Sequence, residues 1–209
     1  MLSEIVSDLS RSVNGSSAKL NEAEVGDSSV QVASSTIKAC CERLKSNFGF
    51  NVLQVISAVD YPQDNEIELN YILANFTSGD ELILKTRLPR GDENSLPKIE
   101  SVTSLWKAAN WQEREAYDMM GIDFVGHPDP RRILCPYDWT GYPLRKDYVV
   151  QEEYNGMVVN PESKMNRDDH FFGDKLIQEK GDPKKIAWSW KEVIDRNESK
   201  KETTEGTQA

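Results

Sequence analysis

Glu113, Arg114, Glu115 and Asp118 crowd together in a stretch that reads as helix, and they are the first residues in the chain whose types and spacing suggest chemistry. Paired carboxylates can act as acid and base of a hydrolase. Such a reaction also needs a nucleophile or a metal-binding His at i+3 or i+4, and neither is there. The position of these acids is more telling. Glu115 and Asp118 fall near the negative end of the helix dipole, where each carboxylate is disfavoured by roughly 0.3–1 kcal/mol. Arg114 stands four residues before Asp118, the less favourable helical order for an ion pair. This local conflict calls for other cations close by, and Arg131-Arg132 and Arg145-Lys146 follow within a short distance. The expectation is that the segment carrying them folds back and that at least one pairs with Glu113, Glu115 or Asp118, pinning loop to helix by charge-assisted bonds. The rest would face a partner.

The same segment interleaves Arg131, Arg132, Tyr137, Trp139, Tyr142, Arg145 and Lys146, a mixture that can grip single-stranded nucleic acid. Asp129, Asp138 and Asp147 interrupt it, and the 209-residue chain carries 35 acids against 25 bases, a formal charge of −10 that repels phosphate. Trp, Tyr and Arg also anchor protein interfaces, which is the better supported reading. The two histidines, His127 and His170, lack ligand-spaced partners beyond Asp168-Asp169 beside the second, so a backbone-bonded loop histidine is favoured over a metal ligand. Cys40, Cys41 and Cys135 form neither a CxxC pair nor a disulfide framework. With no glycine-rich nucleotide motif either, no catalytic, cofactor-binding or metal-binding residue is expected in this chain.

The elements that must position these residues follow from periodicity. Leu2, Ile5, Val6 and Leu9 mark a short amphipathic helix, ended by Asn14-Gly15. Residues 28–33 alternate as a short strand, expected at a sheet edge. Ser34, Ser35 and Thr36 offer N-caps for a helix with Ile37, Cys40, Cys41, Leu44 and Phe48 on one face, closed by Gly49; its cysteines are expected to pack as small hydrophobes. Three strands are expected at residues 52–59, 67–76 and 82–88, the last two as a hairpin, with Ile67, Leu69, Tyr71, Leu73, Leu82, Leu84 and Thr86 facing inward. A helix is expected from about Thr103 to Met120, burying Leu105, Ala108, Ala109, Ala116, Met119 and Met120 and stopping at Gly121.

The fold class expected is α+β: a two-layer sandwich of a mostly antiparallel or mixed sheet with helices on one face, followed by a long irregular C-terminal extension. The expected organisation is an α+β domain at 1–121, an irregular docking loop at 122–150 and a polar extension at 151–209 that ends in disorder. Within that extension Trp188, Trp190, Val193 and Ile194 make a small adhesive patch. Mean hydropathy is −0.61. The uncharged run Phe48–Val59 falls far short of the roughly 20 apolar residues of a membrane helix. The first residues, with Glu4 and Asp8, show no secretory or mitochondrial presequence pattern.

Three runs together carry a resemblance. ANWQEREAYDMMGIDF from Ala109 to Phe124, GHPDPRRIL from Gly126 to Leu134 and DWTGYPLRKDY from Asp138 to Tyr148 closely resemble the signature of the 30 kDa subunit family of respiratory complex I, which in bacteria is the C subunit of the NADH-quinone oxidoreductases. Upstream, the helix, the strand ending Val59-Asp60-Tyr61-Pro62 and the hairpin resemble that family's α+β domain. Two positions depart from the pattern: Val149 stands where Pro is usual, and Tyr142 where His is frequent.

The resemblance implies a non-redox scaffolding subunit of the peripheral arm of a proton-translocating complex that passes electrons from NADH to quinone. FMN and iron–sulfur clusters would sit in partner subunits. The partners implied are the 49 kDa-type quinone-site subunit and the cluster-bearing subunits, at the cytoplasmic face of a bacterial inner membrane, with membrane contact only through the complex. Glu113, Arg114, Glu115, Asp118, Gly121 and His127 would fix the signature loop. Arg131, Arg132, Trp139, Arg145, Lys146 and Asp147 would dock the partner. The alternatives are the equivalent subunit of a membrane-bound hydrogenase or of a ferredoxin- or coenzyme-linked dehydrogenase, and a single-strand nucleic-acid module.

Overall fold

In a computed structural model, residues 1–22, 27–92 and 95–158 are described. Asp168-Asp169-His170, the Trp188–Ile194 patch and the expected disordered end lie outside them. By backbone proximity the chain divides into Met1–Val150 and Gln151–Ala209. Of the second unit the described part is a small hairpin, Glu153–Tyr154 against Met157–Val158, turning through Asn155 and Gly156 at positive φ.

The first unit is built on a meander. Strands β3 (Val52–Tyr61), β4 (Glu66–Asn75) and β5 (Asp80–Pro89) pair antiparallel. The β4–β5 turn is set by Asn75, whose Oδ1 accepts the N–H groups of Thr77 and Ser78 at 2.9 and 3.3 Å, with Gly79 at φ +78° completing it. Ile67, Leu69, Tyr71 and Leu73 of β4 sit opposite Leu88, Thr86, Leu84 and Leu82 of β5, and all eight are buried. Each fully buried aliphatic side chain contributes about 1.5–3 kcal/mol against the chain entropy. On the other sheet face Glu68 bridges Lys85 and Arg87 at 3.6 and 3.1 Å, and Arg87 also reaches Glu66 at 3.0 Å.

Strand β2 (Ser29–Gln31) joins parallel to β5. It is not the edge expected for it. Strand β1 (Lys19–Asn21) pairs antiparallel outside it, giving the order β1-β2-β5-β4-β3. The sheet is therefore mixed, and helices α1 (Leu2–Ser12) and α2 (Ile37–Asn47) supply Ile5, Leu9, Ile37, Cys40, Cys41 and Leu44 to its core. The residues Ser34–Thr36 form a 3₁₀ turn rather than a side-chain cap, because the Thr36 hydroxyl donates to the Ala33 carbonyl at 3.1 Å.

Helix α3 spans Ala109–Met120, starting later than expected. Residues 102–109 instead make successive turns with backbone bonds from Leu105 and Trp106 to the Val102 carbonyl, which buries Trp106 and leaves Ala108 exposed. Like β1, two further short strands were not foreseen: β6 (Lys98–Glu100) and β7 (Asp123–Val125) pair parallel and flank α3. The stretch after Gly121, expected to be irregular, thus opens as a strand and becomes irregular only beyond it.

Candidate functional site

Asp118 is the centre of the first of two carboxylate clasps. Its side chain is fully buried on α3. One oxygen, Oδ1, accepts from Arg132 Nη1 at 3.0 Å, and Oδ2 accepts the backbone N–H groups of Ile133, Leu134 and Cys135 at 3.0, 2.7 and 2.9 Å. Burial pushes this carboxyl up, but the three amides and the Arg132 guanidinium outweigh it and hold the group below its ordinary value. The tension at the negative end of the helix is thereby relieved from outside the helix. Arg145 adds to this, donating to the terminal α3 carbonyl of Met120 at 2.9 Å and to those of Gly121, Arg90 and Gly91 at 3.1–3.3 Å.

Tyr142 ties these two arginines together. Its ring lies under both guanidinium groups, 5.3 Å from Arg132 and 5.0 Å from Arg145. It also rests on Gly121, which has φ +67° as the left-handed C-cap of α3. A Cβ there would lie 2.5 Å from Tyr142 Cε2, so both backbone conformation and contact demand glycine.

The second clasp was missed from sequence. Asp60, at the end of β3, has a fully buried side chain and accepts from Arg90 Nε and Nη2 at 2.7 and 2.9 Å, a bidentate pair. It also accepts the Lys146 N–H at 2.8 Å, and Arg90 in turn donates from Nη1 to Asp147 at 2.9 Å. The available signal was parity: Asp60 shares the inward face of β3 with Ile56 and Ala58, standing opposite Ile67.

The third carboxylate, Glu113, lies beside His127. Glu113, fully buried, accepts the Val102 N–H on Oε1 at 2.7 Å, while Oε2 has no hydrogen-bond partner and faces His127 Nε2 at 4.0 Å. Burial pushes the Glu113 carboxyl up to about 7, against the lowering influence of the Ser101 hydroxyl and the Val102 amide. Next to it Arg114 stacks on Trp111, donates to the Arg131 carbonyl at 3.0 Å and lies 3.6 Å from Asp129. Asp129 accepts both donors of Arg131 at 2.6 and 2.8 Å, which holds its carboxyl down at about 2.

The residues expected to dock a partner take the following directions in this chain. Arg132, Arg145 and Asp147 direct their charged groups to other parts of the same chain, and Trp139 donates to the Tyr148 hydroxyl at 3.0 Å. Arg131 is exposed while paired to Asp129, and Lys146 and Glu115 are exposed. Beside these charges the loop presents apolar side chains outward: Tyr137 is 96% exposed, Leu134 61% and Leu144 57%. Among the described residues no three His, Cys, Asp or Glu side chains gather as a metal site, and no helix is long and apolar enough to cross a membrane.

Comparison with known proteins decides what this loop belongs to. The model of the family described as respiratory-chain NADH dehydrogenase, 30 Kd subunit, matches residues 30–154, from β2 through all three carboxylates. The chain belongs to that family. Within the 30 kDa family it is similar to the C subunit of the NADH-quinone oxidoreductase of Moorella thermoacetica, 47% identical over 122 residues that cover 58% of this chain and 80% of the relative. It is also similar to the C subunit of the F(420)H(2) dehydrogenase of Methanosarcina mazei, 46% identical over 53% of this chain and 68% of the relative. Among solved structures, a chain of the membrane-bound sulfane sulfur reductase, an archaeal respiratory membrane complex, superposes with a TM-score of 0.58 at 30% identity. That match covers 70% of this chain and 85% of the other.

Proposed function

We propose that this 30 kDa-family chain is a non-redox scaffolding subunit of a proton-translocating NADH-quinone oxidoreductase, docking its signature loop onto the 49 kDa-type quinone-site subunit and the cluster-bearing subunits. In this reading FMN and the iron–sulfur clusters reside in those partners, NADH and quinone are handled by the complex, and the chain reaches the cytoplasmic face of the bacterial inner membrane only through it. The observation that carries the proposal is the loop's construction. Asp118 holds Arg132 and three loop amides and Asp60 holds the Lys146 amide, while Leu134, Tyr137 and Leu144 stand outward on a pre-shaped backbone. Ordering a loop before binding removes the entropic cost of ordering it on binding, and exposed aromatic and aliphatic side chains supply the anchors. Arg131 and Lys146 complete the docking face.

The test is tagged purification of the full chain from its own cells. Wild type should bring down the flavin- and cluster-bearing subunits, and the double variant Leu134→Asp, Tyr137→Asp should lose most of them while retaining the wild-type melting temperature. Equal recovery from both would sink the docking role. The relationship to F(420)H(2) dehydrogenase supports a second reading, the equivalent subunit of a complex with another electron donor. Co-purification of a dehydrogenase subunit that oxidises a donor other than NADH would establish that reading instead.

A further inference from the structure

The His127 ring has both nitrogens committed. Nε2 lies 3.0 Å from the Asn110 carbonyl, which can only accept, and Nδ1 lies 3.0 Å from the Asp129 N–H, which can only donate. The pattern dictates the neutral tautomer with hydrogen on Nε2 and a lone pair on Nδ1. The carboxyl of Glu113 lies beside this ring, with Oε2 unpartnered and 4.0 Å from Nε2.

Other titratable and charged groups face the pair from several elements. From α2 comes the Cys41 thiol, with Glu42 further along that helix, and from β4 the Tyr71 hydroxyl; burial raises both the thiol and the phenol well above their ordinary values, so they stay neutral. From the strand and turn preceding α3 come the Ser101 hydroxyl and Val102 amide. Arg114 and Arg131 are turned to Asp129. When Glu113 ionises, its bare oxygen competes with the Asn110 carbonyl for the Nε2 hydrogen. Closing a 4.0 Å gap to hydrogen-bond distance means moving the ring by about an ångström, which draws Nδ1 away from the Asp129 amide.

We propose that Glu113 and His127 form a one-proton latch beneath the signature loop: with Glu113 protonated the pair is neutral and the 126–130 turn is closed, and release of that proton pulls His127 off the turn and loosens it. The raised carboxyl of Glu113 puts the transition near neutrality. The latch concerns the loop itself and holds whatever the loop docks against.

Hydrogen exchange on the uniformly labelled full chain tests it, with rates corrected for intrinsic pH dependence. Protection of the Asp129 amide should fall about tenfold between roughly pH 6 and pH 8 while amides of β4 keep theirs. Over the same range the Glu113 side-chain carbon should titrate. In Glu113→Gln the Asp129 amide should stay protected at both values. Flat protection in wild type, a Glu113 carbon that does not titrate in that window, or an equal loss in the Gln variant would each overturn the latch. Should the variant not fold, the wild-type titrations decide alone.

Discussion

Arg132 Nη1 lies 3.0 Å from Asp118 Oδ1 with both side chains largely shielded from water, joining the last turn of α3 to a loop fourteen residues on. Removing one partner of such a pair leaves the other buried and uncompensated. Asp118→Ala should cost about 3–5 kcal/mol of unfolding free energy, because it also strands three amides. Asp118→Asn, which keeps an accepting oxygen for those amides, should cost less. Urea titrations of the two variants give the order, and an Ala variant no worse than Asn would contradict the clasp.

Arg145 distinguishes a pin from an anchor. Its guanidinium donates to four carbonyls of its own chain. Arg145→Ala should therefore lower the stability of the purified chain by about 2–4 kcal/mol, since bonds to charged donors contribute roughly 1.5–3 kcal/mol and several are lost together. It should also open residues 136–150 to limited proteolysis. A variant that melts like wild type but fails to assemble would return Arg145 to the docking set.

Gly121 and Tyr142 should show coupling. Gly121→Ala combines a left-handed φ with a ring in the way, so the loss should exceed the roughly 1 kcal/mol of the backbone effect alone. In a Tyr142→Ala background the steric part disappears, leaving a coupling energy of about 0.5–3 kcal/mol in a double-mutant cycle. Additive losses would mean that the ring does not rest on the glycine in solution.

Glu113 sets a pH dependence with a definite sign. Its folded value of about 7 lies above the ordinary carboxyl value of 4.5, so the folded state holds the proton more tightly. The stability this contributes is fully present below about pH 4.5 and is lost as pH rises through about 7. Glu113→Gln should accordingly gain on wild type by a few kcal/mol at about pH 8 and little at about pH 5. Chemical denaturation at the two values measures the difference, and a variant whose deficit or gain is the same at both would contradict the assignment.

The inward faces of β4 and β5 and the packing of Cys40 and Cys41 were legible because periodicity and burial are the same information in a two-layer fold. An arginine reaching back to α3 was legible because carboxylates at a helix C-terminus are locally unfavourable. Strand β1, the parallel β6–β7 pair and the Asp60–Arg90 clasp were not. Three-residue strands carry too little pattern to register, and a lone buried Asp at a strand end looks like the start of the turn that follows it. The inward direction of Arg145 was hidden because arginine beside aromatics reads the same whether its acceptors belong to a partner or to its own chain.

The parallel pairing of β2 with β5 aligns Val30 with Leu84. Closing a loop of about fifty residues is entropically slow compared with zipping adjacent hairpins. The β3–β4–β5 meander can assemble from local contacts, whereas α1, β1 and β2, although translated first, have no sheet to join until β5 has emerged from the ribosome. The sheet thus joins its earliest strands to its last by a connection far longer than any hairpin, and the apolar face of α1, with Ile5 and Leu9, is covered only once that connection has closed.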